Sequence, residues 1–286
     1  MTAVQSISAQ GMPSAAPGPL AGLKAVSLAQ NLPGPVALAM LVADGIAATK
    51  VEPPAGDMLR HGARVWYAEL HNGCDVRTVD LRSDAGRAEL QALLREADLL
   101  ITSQRPSALA RLGVAADALA ALNPRLCWVE IVGDADAPEL PGHDLTYQLQ
   151  AGLIAPPAMP RTLIADLGGA RDGARAALAL LLGRERGSLQ RHRVVGLKQA
   201  AEGFAAPVRH GITREGGLLS GAMPVYRIFA LADGWAAVAA IEPHFAAAFM
   251  REAGDDPASF FASRRVADID ALARQHDLPI STVARI

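Results

Sequence analysis

The stretch KAVSLAQNLPGPVALAMLVADGIAATKVEPP, residues 24–54, decides the fold class of this chain. Lys24 to Ala29 reads as a short buried strand. At Asn31-Leu32-Pro33-Gly34-Pro35 the chain turns and a helix opens, because a proline in the first helical position loses no hydrogen bond. That helix runs from Val36 to Ala43 and stops near Gly45. Ala47 to Glu52 is a second strand, and Pro53-Pro54 forbids further pairing. Strand, helix and strand within about 30 residues form the unit from which parallel sheets are built.

The alternation continues downstream. Val76 to Leu81 reads as a strand, and Ser83 caps a helix that carries Leu90, Leu93, Leu94 and Ala97 on one face. Asp98 closes that helix, and Leu99 to Thr102 is a buried strand. Short helices are expected around Ser107–Leu112 and Asp117–Leu122, followed by a strong strand from Leu126 to Val132. The pattern predicts an α/β fold with helices on both faces of a parallel sheet. Gly168–Leu182, rich in Ala and Leu, reads as a buried helix. Arg184 to Gly217 is rich in Arg, Gly and His, with one helix around Leu197–Phe204, and reads as a connection between domains. Beyond Met223, two strands joined across Asp233-Gly234 form a β-hairpin. Helices and a strand-like piece, Leu278–Val283, follow. The expected organisation is a disordered tail over 1–18, a large domain over 19–185, a connection over 186–220 and a smaller α+β domain over 221–286.

A chain that is 51% hydrophobic and 20% charged can build a sizeable core. Its net charge of −2 provides no field for nucleic acid or an anionic membrane, so any phosphate recognition must be local. Cys74 and Cys127 fit neither a metal spacing nor a disulfide framework, which suits a reducing, cytoplasmic setting. No apolar run reaches the ~18 residues of a membrane span. Residues 1–18 lack the basic and apolar regions of a signal peptide.

Three ionisable residues stand in distinctive settings. They are His143 in Pro-Gly-His-Asp-Leu-Thr-Tyr (141–147), Asp166 in Leu-Ile-Ala-Asp-Leu-Gly-Gly (163–169) and Glu242 in Ala-Ala-Ile-Glu-Pro-His-Phe (239–245). An imidazole and a carboxylate facing one pocket can take a proton from one side of a carbon and return it to the other. Each residue also has a plainer reading. Asp166 could be a helix N-cap worth ~1 kcal/mol of stability. His143 could be a turn residue whose ring bonds a backbone carbonyl, and Glu242 a surface carboxylate ending a strand. The remaining histidines share no spacing that suggests a metal.

The chain resembles the class III coenzyme A transferases and, within them, the α-methylacyl-CoA racemase branch. The resemblance rests on Pro19-Leu20-Ala21-Gly22-Leu23, Leu32-Pro33-Gly34-Pro35, Gln104-Arg105-Pro106, Leu122-Asn123-Pro124-Arg125-Leu126, Gly142-His143-Asp144, Ala165-Asp166, and Ala232-Asp233-Gly234 through Glu242-Pro243. These segments follow the family order from about residue 19 to about residue 250. The resemblance implies a Rossmann-like large domain, a small domain and an interlocked homodimer. It implies an acyl-CoA thioester as substrate and no cofactor beyond the coenzyme A that the substrate carries. It casts His143 and Asp166 as the two acid–base groups of a 2-methylacyl-CoA racemase, supported by Glu242. Backbone amides of a helix opening at Leu167-Gly168-Gly169 would stabilise an enolate oxygen. Lys50 and Arg105 are the expected cations for coenzyme A. In the family's transferases the aspartate is instead the acyl-accepting nucleophile, so Asp166 alone does not separate the two activities. Leu32, where the transferases carry glutamine, and His143, which they lack, favour the racemase. Departures are also clear. Pro53 stands where an arginine is usual, and a basic stretch becomes His71-Asn72-Gly73-Cys74-Asp75, which motivates a third reading as a non-catalytic homologue.

Overall fold

The computed structural model describes residues 18–285, so the tail expected over 1–18 falls, but for Gly18, outside the described residues. The chain divides into two compact units, one ending at Phe204 and one beginning at Ala205.

The first unit opens with β1 (Lys24–Ser27), α1 (Pro33–Ala43), β2 (Ala47–Glu52), α2 (Met58–Gly62), α3 (Arg64–Leu70) and β3 (Cys74–Thr78). It continues through α4 (Asp84–Glu96), β4 (Leu99–Thr102), α5 (Pro106–Arg111), α6 (Ala116–Leu122) and β5 (Cys127–Val132). It closes with α7 (Asp144–Gln150), α8 (Ile164–Glu185), β6 (His192–Gly196) and α9 (Leu197–Phe204). The six strands form one parallel sheet in the order β3-β2-β1-β4-β5-β6. Strand residues alternate between two cores, as the period-two pleat requires. Ala25, Leu99, Ile101, Val129 and Ile131 pack against α1 and α8 on one face. Val26, Leu100 and Trp128 pack against α4, α5 and α6 on the other. Gly34 lets α1 start close to the exit of β1, because a Cβ there would sit 2.1 Å from the Ala29 methyl.

Two expectations are corrected here. The third strand runs over Cys74–Thr78 rather than 76–81, in register with Ala48–Glu52. Val79 instead leaves the strand and is buried in the second core. The segment read as an interdomain connection contains β6, which extends the main sheet beside β5 with His192 opposite Trp128. The His192 ring stacks on the Trp128 indole at 4.2 Å, and its Nε2 lies 3.0 Å from the buried Glu130 carboxylate. A half-exposed edge strand pinned by ring and ion contacts lacks the apolar alternation by which strands are read.

The second unit contains α10 (Ala206–Arg209), β7 (Tyr226–Ala230), β8 (Gly234–Ala239), α11 (Pro243–Ala253), α12 (Pro257–Ala262), α13 (Val266–Gln275) and β9 (Ile280–Ala284). The expected hairpin is present as β7–β8, antiparallel, and β9 adds to its far side. Phe229, Ala236 and Val238 meet Phe249, Phe261 and Ile269 in a separate core. The Asp233 carboxylate accepts the Val266 amide at 2.8 Å, tying the hairpin turn to the start of α13. Among the described residues, no helix is long and apolar enough to cross a membrane.

Candidate active site

The strand order reverses direction between β1 and β4, and in open parallel sheets ligands bind outside the carboxyl ends of the strands at such a point. A cavity of about 750 Å³ lies there. Its walls come from residues that follow each strand: Leu28 and Gln30 after β1, Pro53 and Pro54 after β2, Leu81 and Arg82 after β3, and Gln104 after β4. The lining mixes apolar side chains with Asp80 and the guanidinium groups of Arg82, Arg87 and Arg111. The Arg82 side chain is exposed and makes no hydrogen bond among the described residues, whereas Arg87 is occupied with the Leu81 and Arg82 carbonyls and Asp84. The switch point is stitched shut by the Gln104 amide, which donates to the Leu28 carbonyl at 2.5 Å, and by the Ser103 hydroxyl, which accepts the Gln30 amide at 3.0 Å.

Gln104 also borders a smaller cavity of about 190 Å³, shared with Arg105, Pro141, Gly142 and His143. His143 occupies the N-cap position of α7. Its backbone amide meets the Thr146 hydroxyl at 3.2 Å, and that hydroxyl donates to the His143 carbonyl at 2.7 Å. Gly142 is required because a Cβ there would lie 2.0 Å from the Tyr147 hydroxyl oxygen. Tyr147, rising from the first turn of α7, is thereby wedged beneath the loop that presents His143.

Asp166 lies inside the first turn of α8, which begins at Ile164. The helix therefore opens earlier than the expected Gly168, for a tertiary reason. Asp144, 4% exposed, accepts the amides of Ala165 at 2.8 Å and Asp166 at 3.2 Å on one carboxylate oxygen. A buried carboxylate from α7 thus caps α8 in place of a local side chain. The expected enolate site on Leu167-Gly168-Gly169 is corrected at the same time. The Leu167 amide bonds the Leu163 carbonyl, and the two glycines exist for close packing: their Cβ atoms would meet Phe204 at 2.5 Å and Leu197 at 2.3 Å. The Asp166 carboxylate has no hydrogen-bond partner among the described residues. Burial, and secondly the charge of Asp144, push its pKa up to about 7.

The other residues singled out in the sequence fare differently. Arg105 is exposed, borders the His143 cavity and acts electrostatically on Glu139, which accepts the Ser107 amide and hydroxyl. Lys50 is corrected: it is fully buried and its ammonium is enclosed by acceptors. It meets Asp57 at 2.5 Å, His71 Nε2 at 3.0 Å and Glu52 at 3.1 Å. His71 Nδ1 donates to the Tyr67 carbonyl at 2.6 Å, so Nε2 is the acceptor for Lys50. Burial, with Lys50 as a further cause, holds His71 below the usual histidine range. Fully buried, the Lys50 ammonium presents no open face to a phosphate. Glu242 belongs to the second unit, at the exposed N-cap position of α11, outside the group that Asp144 ties together. Sequence reasoning passed over Arg82, Arg111 and Asp144. Arg82, just past a strand end, carried the signal of position; the carboxylate of Gly-His-Asp carried none that spacing could read.

The family model for CoA-transferase family III matches residues 20–286. A protein of Mycobacterium tuberculosis described as "Probable fatty acyl-CoA transferase Rv3272" is 29% identical over 215 residues, covering 68% of this chain and 55% of that protein. The human alpha-methylacyl-CoA racemase is 27% identical over 254 residues, covering 79% of this chain and 62% of the racemase. The matched regions thus span between half and two thirds of these relatives. A crystal structure of the mycobacterial protein superposes with a TM-score of 0.80 at 23% identity, over 94% of this chain and 85% of that one.

Proposed function

Because the chain belongs to CoA-transferase family III, we propose that it binds an acyl-CoA thioester and moves the α-proton of a 2-methylacyl group, as a racemase does. The observation that carries this reading is Asp166, with a pKa of about 7, held through its backbone amide by Asp144, the residue next to His143. A carboxyl group present in both forms at neutral pH suits a residue that takes up and returns a proton. In the proposed step one group removes the α-hydrogen as a proton, and the C–H electron pair passes into the enolate. The opposite group then delivers a proton to the other face of the same carbon. The two groups exchange roles for the reverse reaction. Glu242 is proposed as a supporting carboxylate, on the resemblance alone.

In this reading the adenine and phosphates of the thioester would occupy the 750 Å³ cavity, and the pantetheine arm would run past Gln104 to His143. Arg82, Arg111 and Arg105 replace Lys50 as the proposed phosphate partners, because guanidinium groups bond phosphate oxygens in pairs. Arg82→Ala and Arg111→Ala should each weaken thioester binding about tenfold, the cost of one charge-assisted bond, and reduce its salt dependence. Isothermal titration at two ionic strengths measures both effects.

The decisive experiment is α-proton exchange in D2O with a panel of 2-methylacyl-CoA thioesters, followed by mass spectrometry. Deuterium uptake is expected, and His143→Ala and Asp166→Ala should each abolish it with binding nearly intact. Exchange at the wild-type rate in either variant would show that the two-base assignment is wrong. The unbonded Asp166 carboxylate also favours a second reading, in which Asp166 takes up the acyl group as in a CoA transferase. A labelled acyl group trapped on Asp166, without deuterium uptake, would establish it.

A further inference from the structure

We infer that Asp144 is a positioning residue for the proposed proton transfer, tying His143 to Asp166 and occupying the amides that would otherwise serve the Asp166 carboxylate. The inference rests on the reading above. Asp144 is covalently next to His143 and hydrogen-bonded to the backbone of Asp166 itself, so the residue that follows one group holds the helix end that carries the other. Its second carboxylate oxygen accepts from the Gln148 amide at 2.6 Å, and Gln148 also donates to the Thr162 carbonyl at 2.9 Å. The bridge therefore grips the strap before α8 as well as the helix end.

The electrostatic consequence is opposite to the usual one. A carboxylate in the first turn of a helix is ordinarily stabilised by the free amides and the helix dipole. Here Asp144 takes the Ala165 and Asp166 amides, so their positive charge serves Asp144. Asp166 is left with burial and a like charge beside it, both of which favour its protonated form. The titratable groups on the helices packed against this end of α8 are Asp144 and Tyr147 on α7 and Lys198 and Glu202 on α9. Lys198 is paired with Asp134 at 2.8 Å, and Asp144 supplies the charge that acts on Asp166.

The test is a carbon-13 NMR titration of aspartate-labelled full-length protein, with the Asp166 signal assigned by its loss in Asp166→Asn. Asp144→Asn keeps an oxygen for both amides and removes the charge. Its Asp166 midpoint should fall by about one unit, the lower end of what a close charge contributes. Asp144→Ala frees the amides as well, and the midpoint should fall further. Where deuterium exchange is measurable, the acidic limb of the rate profile should move with the midpoint while thioester KM stays near wild type. An unchanged midpoint in Asp144→Asn, its fold checked by circular dichroism, would overturn the inference, and this isosteric variant decides even if Asp144→Ala fails to fold. A shifted midpoint in a protein that exchanges no α-proton would support the coupling and overturn the reaction.

Discussion

Asp166→Asn is expected to abolish α-proton exchange and, at pH 8, to make the protein more stable than wild type by about 2–4 kcal/mol. The wild-type carboxyl holds its proton until about pH 7, against an ordinary value of 3.8. A group whose folded pKa is raised contributes stability that is whole below its unfolded pKa and is lost as pH climbs through the folded one. Well below pH 3.8 both states are protonated and the substitution removes nothing. Between pH 4 and pH 7 the unfolded chain releases its proton first, and wild type loses stability progressively. Asparagine has no proton to release, so its advantage grows over that interval and levels off above it. Urea unfolding at pH 4, 6 and 8 measures the trend. A difference between the two proteins that does not change with pH would mean that Asp166 titrates normally. Activity and stability are thus expected to oppose each other at one residue, as at many reactive sites.

Lys50→Ala is expected to cost about 3–5 kcal/mol, the penalty for stranding buried charge. The ammonium is the common partner of Glu52, Asp57 and His71, all buried, and one Glu52 oxygen already lacks a hydrogen bond. Asp57 also accepts the amides of Asn31 at 3.1 Å and Leu59 at 3.0 Å. The damage should therefore reach the turn between β1 and α1. Lys50→Met restores the aliphatic stem and should lose less than alanine. Neither variant should change the salt dependence of thioester binding, in contrast to Arg82→Ala. A Lys50→Met protein as stable as wild type, or one whose binding has lost its salt dependence, would return Lys50 to the ligand site.

The two arginines of the cavity also bear on the missing basic stretch. His71-Asn72-Gly73-Cys74-Asp75 carries no free cation: His71 lies inside the Lys50 cluster, and burial pushes the Cys74 thiol up to about 11. Arg82, in the loop after β3, and Arg111, at the end of α5, line the larger cavity instead. The depleted stretch is thus a weaker argument for a non-catalytic homologue than its composition suggests.

Local patterning carried a great deal of this protein. The strand–helix–strand reading of residues 24–52, the N-cap at Ser83, the buried β4 and the Asp233-Gly234 hairpin follow from short-range physics: apolar runs, caps, prolines and turn residues. His143 and Asp166 were legible as residues in unusual settings, and the family resemblance attached roles to them. Folding decided the rest, because each remaining feature depends on what a distant segment brings. α3 covers Lys50 and turns an expected phosphate ligand into the centre of a buried ion cluster. Glu130 and Trp128 hold His192 and make an edge strand of a segment without strand periodicity. Asp144, 21 residues from Ala165 and 22 from Asp166, starts α8 early and adds its charge to the burial that raises the pKa of Asp166. Periodicity reports what a residue's own neighbours permit; burial and charge at a side chain are set by the partners that the fold delivers.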